Sequence, residues 1–232
     1  MKSPVQLAYK FSKGEERKYK TTTSMVREVD ERTKVMQKQA STIESELAQK
    51  VIEVEGDGSA HLVTHLEVKS QETDGRPLPT VSEKQTLYFK MDPTGRILEV
   101  SGMSSQGNPA FPLQPVQEGD SWKDETTINL PFFQSPQRIS STYTLEEIVP
   151  VNGFECARIK VATDEAVFTT MATMEVSGAP QEVKQIIENQ GTIFFAHKEG
   201  VLVRSDMNTR AVARVGEMVV DTTTNVVMEL VS

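Results

Sequence analysis

The chain has little with which to do chemistry. Its 232 residues include one cysteine, one tryptophan and three histidines, and aromatics make up only 6%. A single cysteine, Cys156, cannot close an internal disulfide, so the redox compartment stays open. In "GFECARIKV" it reads as a small strand residue, because a reactive thiolate needs a cation or imidazole that only the tertiary fold could bring to it. Cations are also short: 25 Lys and Arg against 33 Asp and Glu leave a formal charge of −8. That balance excludes a sequence-independent nucleic-acid binder, which needs a basic face, and disfavours an anionic membrane surface. Long apolar runs are missing as well. Nothing approaches the ~18–20 residues of a membrane-spanning helix, and the opening "MKSPVQLAYKF" shows no signal-peptide core.

Catalytic signatures are equally scarce. There is no GxSxG elbow, no phosphate-cradling glycine loop and no GxGxxG after a strand. "EGDGS" (55–59) has too few spaced oxygens for an EF-hand loop and reads as a β-turn. The pairs Glu15/Glu16 and Glu146/Glu147 are sequence neighbours, which on a strand point to opposite faces and make no acid–base dyad. His61 and His65 have the spacing of a zinc helix, but "HLVTHLEV" alternates as a strand. There, i and i+4 sit ~13 Å apart at ~3.3 Å per residue, too far for one ion. His197 matches Met91 of a second, similar stretch and reads as a surface or rim position. The expectation is a protein with no cofactor, no metal and no catalytic residues.

What the chain does have is alternation. "AHLVTHLEV" (60–68) sets Leu62, Thr64, Leu66 and Val68 on one face, and "GEMVVDTTTNVVMELV" (216–231) sets Met218, Val220, Thr222, Thr224, Val226, Met228 and Leu230 on another. Period two with Thr and Val enrichment predicts half-buried strands. Turn signals at 55–59, 92–95, 151–153, 198–200 and 214–217 separate them into antiparallel hairpins. Two stretches fit less well. "PQEVKQIIE" (180–188) suits a short helix or a strand, and the 3–4 spacing of Val29, Thr33, Met36, Ala40, Ile43 and Leu47 leans towards helix.

An internal repeat decides the second of these. "KGEERKYKTTT" (13–23) answers "EGDSWKDETTI" (118–128), "LAQKVIEVEGDGSAHLVT" (47–64) answers "LEEIVPVNGFECARIK" (145–160), and "TLYFKMDPTGRILEV" (86–100) answers "TIFFAHKEGVLVRSD" (192–206). The counterpart of the helix-like stretch is "RISSTYTLEEIVPV", which is strand-like, so 33–54 is read mainly as strand. The prolines of "GNPAFPLQPV" (107–116) cannot continue a ladder and mark a connector. The predicted architecture is one all-β domain, 1–232, of internally duplicated antiparallel meanders with at most one short helix. Residues 1–106 form the first copy and 117–232 the second plus an extra C-terminal hairpin. The meanders make either one large curved sheet or a two-sheet sandwich or half-barrel.

Apolar residues near the turns are the remaining candidates. Phe111 and Leu113 lie in the connector, Phe132 and Phe133 in "NLPFFQSP", and Trp122 shortly before them. They either plug an open end of the sheet packing or form a lip around an apolar pocket or docking surface. Phe111, Trp122, Phe132 and Phe133 are thus the candidate ligand-binding residues.

"LAYKFSKGEERKYKTTTS", "VIEVEGDGSAHLVTHLEV" and the "DPTGRILEV" hairpin together resemble an uncharacterised bacterial family of lipoproteins and secreted proteins, the DUF6263 type. The family pattern is an opening "KGxxYxYK" strand, a "V…DGxxxV" hairpin and a "D..G.I" hairpin; this chain matches the third and has Arg17 for the first Tyr and Leu62 for the last Val of the other two. The resemblance implies a non-enzymatic β protein, secreted or of the cell envelope. The leader and the lipid-anchor cysteine of that family are not seen here. The expected partner is an apolar small molecule or lipid, alternatively a protein docked by a scaffold module of the envelope, with a hydrolase of scattered site a distant third.

Overall fold

Alternating sequence becomes strand throughout. The computed structural model describes residues 3–31, 34–80, 84–101, 110–128, 130, 133–173 and 180–231, and no helix occurs among them. The strands are β1 (Glu16–Glu31), β2 (Lys34–Val54), β3 (Ala60–Thr73), β4 (Arg76–Pro77), β5 (Gln85–Met91), β6 (Ile97–Ser101), β7 (Ser121–Ile128), β8 (Gln137–Val151), β9 (Phe154–Thr173), β10 (Pro180–Ala196), β11 (Val201–Val215) and β12 (Met218–Leu230).

Both ambiguous stretches are strand where described, and Thr33 lies outside the described residues. The 3–4 spacing over 29–47 straddles a hairpin in which β1 pairs with β2 from Glu16↔Lys50 to Glu31↔Lys34. The helical periodicity is therefore accidental, because a long ladder with a neighbour on each side outweighs a marginal local preference. Pro180 opens β10, the strand position where a missing N–H costs least. Sharp turns have the expected chemistry. Asp74 and Gly75 (φ 50° and 72°) and Asn152 and Gly153 (φ 48° and 84°) form the two-residue turns with positive φ that match strand twist.

All the strands belong to one antiparallel sheet in the order β6-β5-β3-β2-β1-β12-β11-β10-β9-β8-β7, with β4 beside β3. The architecture is thus one large open sheet, not a sandwich. The C-terminal β12 covers no outer edge. It lies between β1 and β11 and pairs with both, from Tyr19↔Leu230 to Glu31↔Met218 and from Arg204↔Glu229 to Val215↔Met218.

The two sides of β12 share detailed backbone features. Gly14 N donates to Val51 O and Val51 N to Glu15 O (both 2.9 Å); Gly119 N donates to Leu145 O (2.7 Å) and Leu145 N to Asp120 O (3.0 Å). Each of these glycines has positive φ, 83° and 93°. Carboxylates repeat the pattern, Glu15 accepting from Ser12 N (3.1 Å) and Asp120 from Gln117 N (2.8 Å). Bulges follow at Val51/Glu53 and Leu145/Glu147, and again at Lys90/Met91 and Phe194/Phe195. By this ladder β1 occupies the same place in its meander as β7, and β6 the same place as β11.

The core lies on one face and at one end. There the N-terminal segment crosses the sheet, bridged to the connector by Val5↔Val116. It brings Leu7 and Tyr9 against Phe111, Phe195, Leu62, Met91, Leu145 and Ile159, all buried. Tyr9 stacks on Phe111 at 5.4 Å and meets Phe195 edge-on at 5.0 Å, while Phe111 and Phe195 lie 4.5 Å apart. Such aromatic pairs add to area burial. The crossing chain passes close: a Cβ at Gly200 (φ +71°) would stand 2.5 Å from Lys10 N. Buried Arg17 ties the segment to β1. Its Nε donates to Glu15 Oε1 at 2.6 Å, it donates to the Lys10 carbonyl, and its guanidinium sits 5.7 Å from the Phe11 ring centroid.

Candidate ligand-binding face and sheet edges

Strand alternation divides the molecule into a core face and an outer face. Beyond the aromatic plug, the core face continues along β2, β1, β12, β11 and β10. One row is Ile43–Thr23–Val226–Met207–Gly191 and another, farther out, Gln37–Val29–Val220–Ala213–Gln185. Arg27 is the only charged residue among the described side chains of this stretch. Every residue of β12 is partly exposed, so the face is not sealed. The outer face of the same strands is densely ionic, with pairs such as Lys38–Glu28 (2.9 Å), Arg204–Glu229 (2.6 Å) and Arg210–Asp221 (2.6 Å).

The aromatic candidates fall in two places. Phe111 is 4% exposed and belongs to the plug, which makes it core and not rim. Trp122 joins it indirectly. Its ring stacks on Tyr143 at 5.7 Å and its Nε1 donates to the Ala110 carbonyl at 3.1 Å. Phe133 lies elsewhere, edge-on to Phe168 of β9 at 6.2 Å. Phe132 is outside the described residues. Leu113 is 81% exposed. The neighbourhoods around Trp122 and Phe133 are joined by no described contact. Tyr9 and Arg17, which organise the plug, were not singled out by sequence reasoning. The alternating Leu7, Tyr9 and Phe11 were their only signal.

The histidines do not converge. His61 Nε2 meets Glu55 Oε1 at 2.8 Å, His65 Nδ1 meets Thr86 Oγ1 at 2.9 Å, and His197 Nε2 lies 3.4 Å from Glu155. His197 is more covered than a surface position, its side chain 10% exposed and its Nδ1 buried without a described partner. Among the described residues no group of three His, Cys, Asp or Glu side chains is placed to hold a metal ion. Cys156 sits in a small outer-face cluster with Ala196, Val201 and Val203, and burial pushes its thiol up to about 11. Burial likewise pushes the Tyr19 phenol up to about 12 against the opposing pull of Arg17.

A depression of about 760 Å³ opens on the outer face over β8–β11, lined in part by Glu146, Arg158, Lys160, Phe194, Arg204 and Asp206. Most of its cationic groups are already engaged. Arg158 meets Glu146 at 2.9 Å and Glu147 at 2.6 Å, and Arg204 meets Glu229 at 2.6 Å. It is a solvent-open hollow of mixed polar and apolar lining, with Val151, Val161 and Phe194 beside the charged groups, and is not an enclosed apolar site.

No family model and no curated protein matches the chain. No helix among the described residues is long and apolar enough to cross a membrane.

Proposed function

We propose that the chain is a non-catalytic binding protein of the bacterial cell envelope that holds an elongated, uncharged ligand, such as a lipid acyl chain, on the core face beyond the plug. The observation that carries this reading is charge segregation. Five adjacent strands keep their described core-face side chains uncharged but for Arg27 well past the point where buried aromatics cover them, while their other face is ionic. Solvated sheet faces ordinarily carry polar and charged residues, so a partly exposed uncharged stretch is the mark of a surface that something covers. Thr, Val, Ala and Met supply shallow, non-directional contact suited to a flexible chain. The envelope address is supported by the resemblance to secreted and lipid-anchored bacterial proteins. A non-catalytic role is supported by the dispersal of the histidines and the high pKa of Cys156.

Native mass spectrometry of the freshly purified protein, set against its denatured mass, tests the proposal. Extra mass that leaves on unfolding, identified as lipid by extraction, is the expected result. A clean apo mass that persists after incubation with phospholipid vesicles would remove the apolar-ligand reading.

A further inference from the structure

The sheet has two seams between its meanders, and among the described residues one of them is filled. In the first seam, β12 runs between β1 and β11, antiparallel to both. The second lies between the sheet's ends, β7 and β6, and neither has a partner on its free edge among the described residues. Each step along the sheet reverses direction, so β6 and β7 run the same way, as β11 and β1 do. Their plug ends approach across a single stretch of chain. Phe111 N donates to Thr94 O at 2.7 Å, beside β6, and Ala110 O accepts from Trp122 of β7 at 3.1 Å. The two edges are thus linked at this end by one stretch of chain.

We propose that the β7 edge of this open seam is a docking site for an extended, lysine- or arginine-bearing segment of a partner chain, running antiparallel to β7. The backbone is set for it. In the filled seam, Lys18 O accepts from Val231 N at 2.9 Å. The position matching Lys18 on β7 is Lys123, by the shared glycine-turn geometry of Gly14 and Gly119. Lys123, Glu125 and Thr127 thus point their amides and carbonyls to the free edge, since alternate residues do so in an antiparallel ladder.

Charge identifies the guest. β12 places Glu229 opposite Lys20 and against Arg204, 2.6 Å away. The matching positions in the open seam are Glu125 and Glu99, the latter because Glu99 pairs with Lys90 just as Arg204 pairs with Phe194 beside the same bulge. Where Arg204 holds a carboxylate that also lies opposite Lys20 in the first seam, two carboxylates await a cation in the second. Their existing contacts are weak competitors. Glu125 meets Arg138 only at 4.0 Å between exposed side chains, and Lys90 across from Glu99 is held by Glu55 at 2.8 Å. The stretch of chain that leads from β6 to Ala110, "GMSSQGNP", has two glycines, a proline and no cation, so it cannot supply the missing charge. Leu98 and Val100 of β6 are 46% and 42% exposed, an apolar edge of the kind proteins usually blunt unless it is covered.

A synthetic peptide carrying residues 222–231 with Glu229→Lys tests this, with Trp122 on β7 as the built-in fluorophore. The lysine peptide is expected to shift Trp122 emission and to bind at least about tenfold tighter than the unaltered glutamate peptide. Thr127→Pro, which removes an edge-facing amide, should abolish binding while leaving the far-UV spectrum and Tm nearly unchanged. The double variant Glu99→Lys, Glu125→Lys should prefer the glutamate peptide, a reversal that no folding defect would produce. Absence of binding by either peptide, a preference the charge swap does not reverse, or a β7-mediated dimer in sedimentation that Thr127→Pro dissolves would each overturn the proposal. None of these readouts depends on lipid, so the acyl-chain reading stands or falls separately.

Discussion

The two ends of the same long strands live in different environments. Near Tyr19 and Phe195 the core face is sealed by the crossing N-terminal segment and by Phe111. Farther along, Thr222 and Thr224 of β12 and their neighbours on β1 and β11 continue the same alternation with partly exposed side chains. Strand sequence is similar at both ends, in that neither core face carries many charges. What differs is whether another piece of chain lies across it. The crossing segment thus decides burial at the plug end, while farther out Val183, Ile187 and Val215 are buried without it and the stretch over β1, β12 and β11 stays partly exposed.

The sharpest way to break the comparison is to empty the plug. Phe195→Ala removes a fully buried ring between Tyr9 and Phe111 and should cost about 3–5 kcal/mol in urea unfolding. A loss comparable to a surface substitution would mean that the aromatic end is not the principal source of stability. A smaller effect is expected at the turn between β2 and β3. Hydrogen bonds from Lys90, then from His61, hold the Glu55 carboxyl below its ordinary value. A depressed carboxyl contributes stability above its unfolded pKa and loses it as pH falls through the lower folded value. Glu55→Gln should therefore lower Tm slightly at pH 7, with wild type and variant converging in acid. An equal deficit at all pH values would assign the effect to packing.

The smallest stability change should come from the open end. Thr222→Glu places a carboxylate opposite Arg27 on the uncovered face, and unfolding free energy should move by no more than about 0.5 kcal/mol. Lipid retained in native mass spectra should nonetheless fall sharply. Unchanged retention would separate the ligand from this face and redraw the difference between the two ends.

Much of the fold was legible because alternation is a local property. Val and Thr at every second position, punctuated by Asn152–Gly153 and Asp92–Gly95, announce strands and turns with no knowledge of what packs on them. The stretch from Val29 to Leu47 was harder, since a hairpin can mimic 3–4 spacing by chance and only its two neighbouring strands show the true period. The aromatic candidates were less legible still. Phe111 and Phe133 look alike among their prolines, yet one is sealed in the plug and the other leans on Phe168. Proline-rich segments carry no periodicity, so their destination depends on the surfaces they reach.

Composition and alternation alone determined an all-β antiparallel chain, its turn positions, its acidic balance and its small count of histidine and cysteine, because each depends on residue type or on near neighbours. Tertiary structure alone decided that β12 fills the seam between β1 and β11, that Tyr9 and Arg17 close one end, and that β6 and β7 are the edges among the described residues. Backbone hydrogen bonds make every strand a fit partner for every other, so pairing order is chosen by which arrangement buries the apolar face, a property of the whole chain.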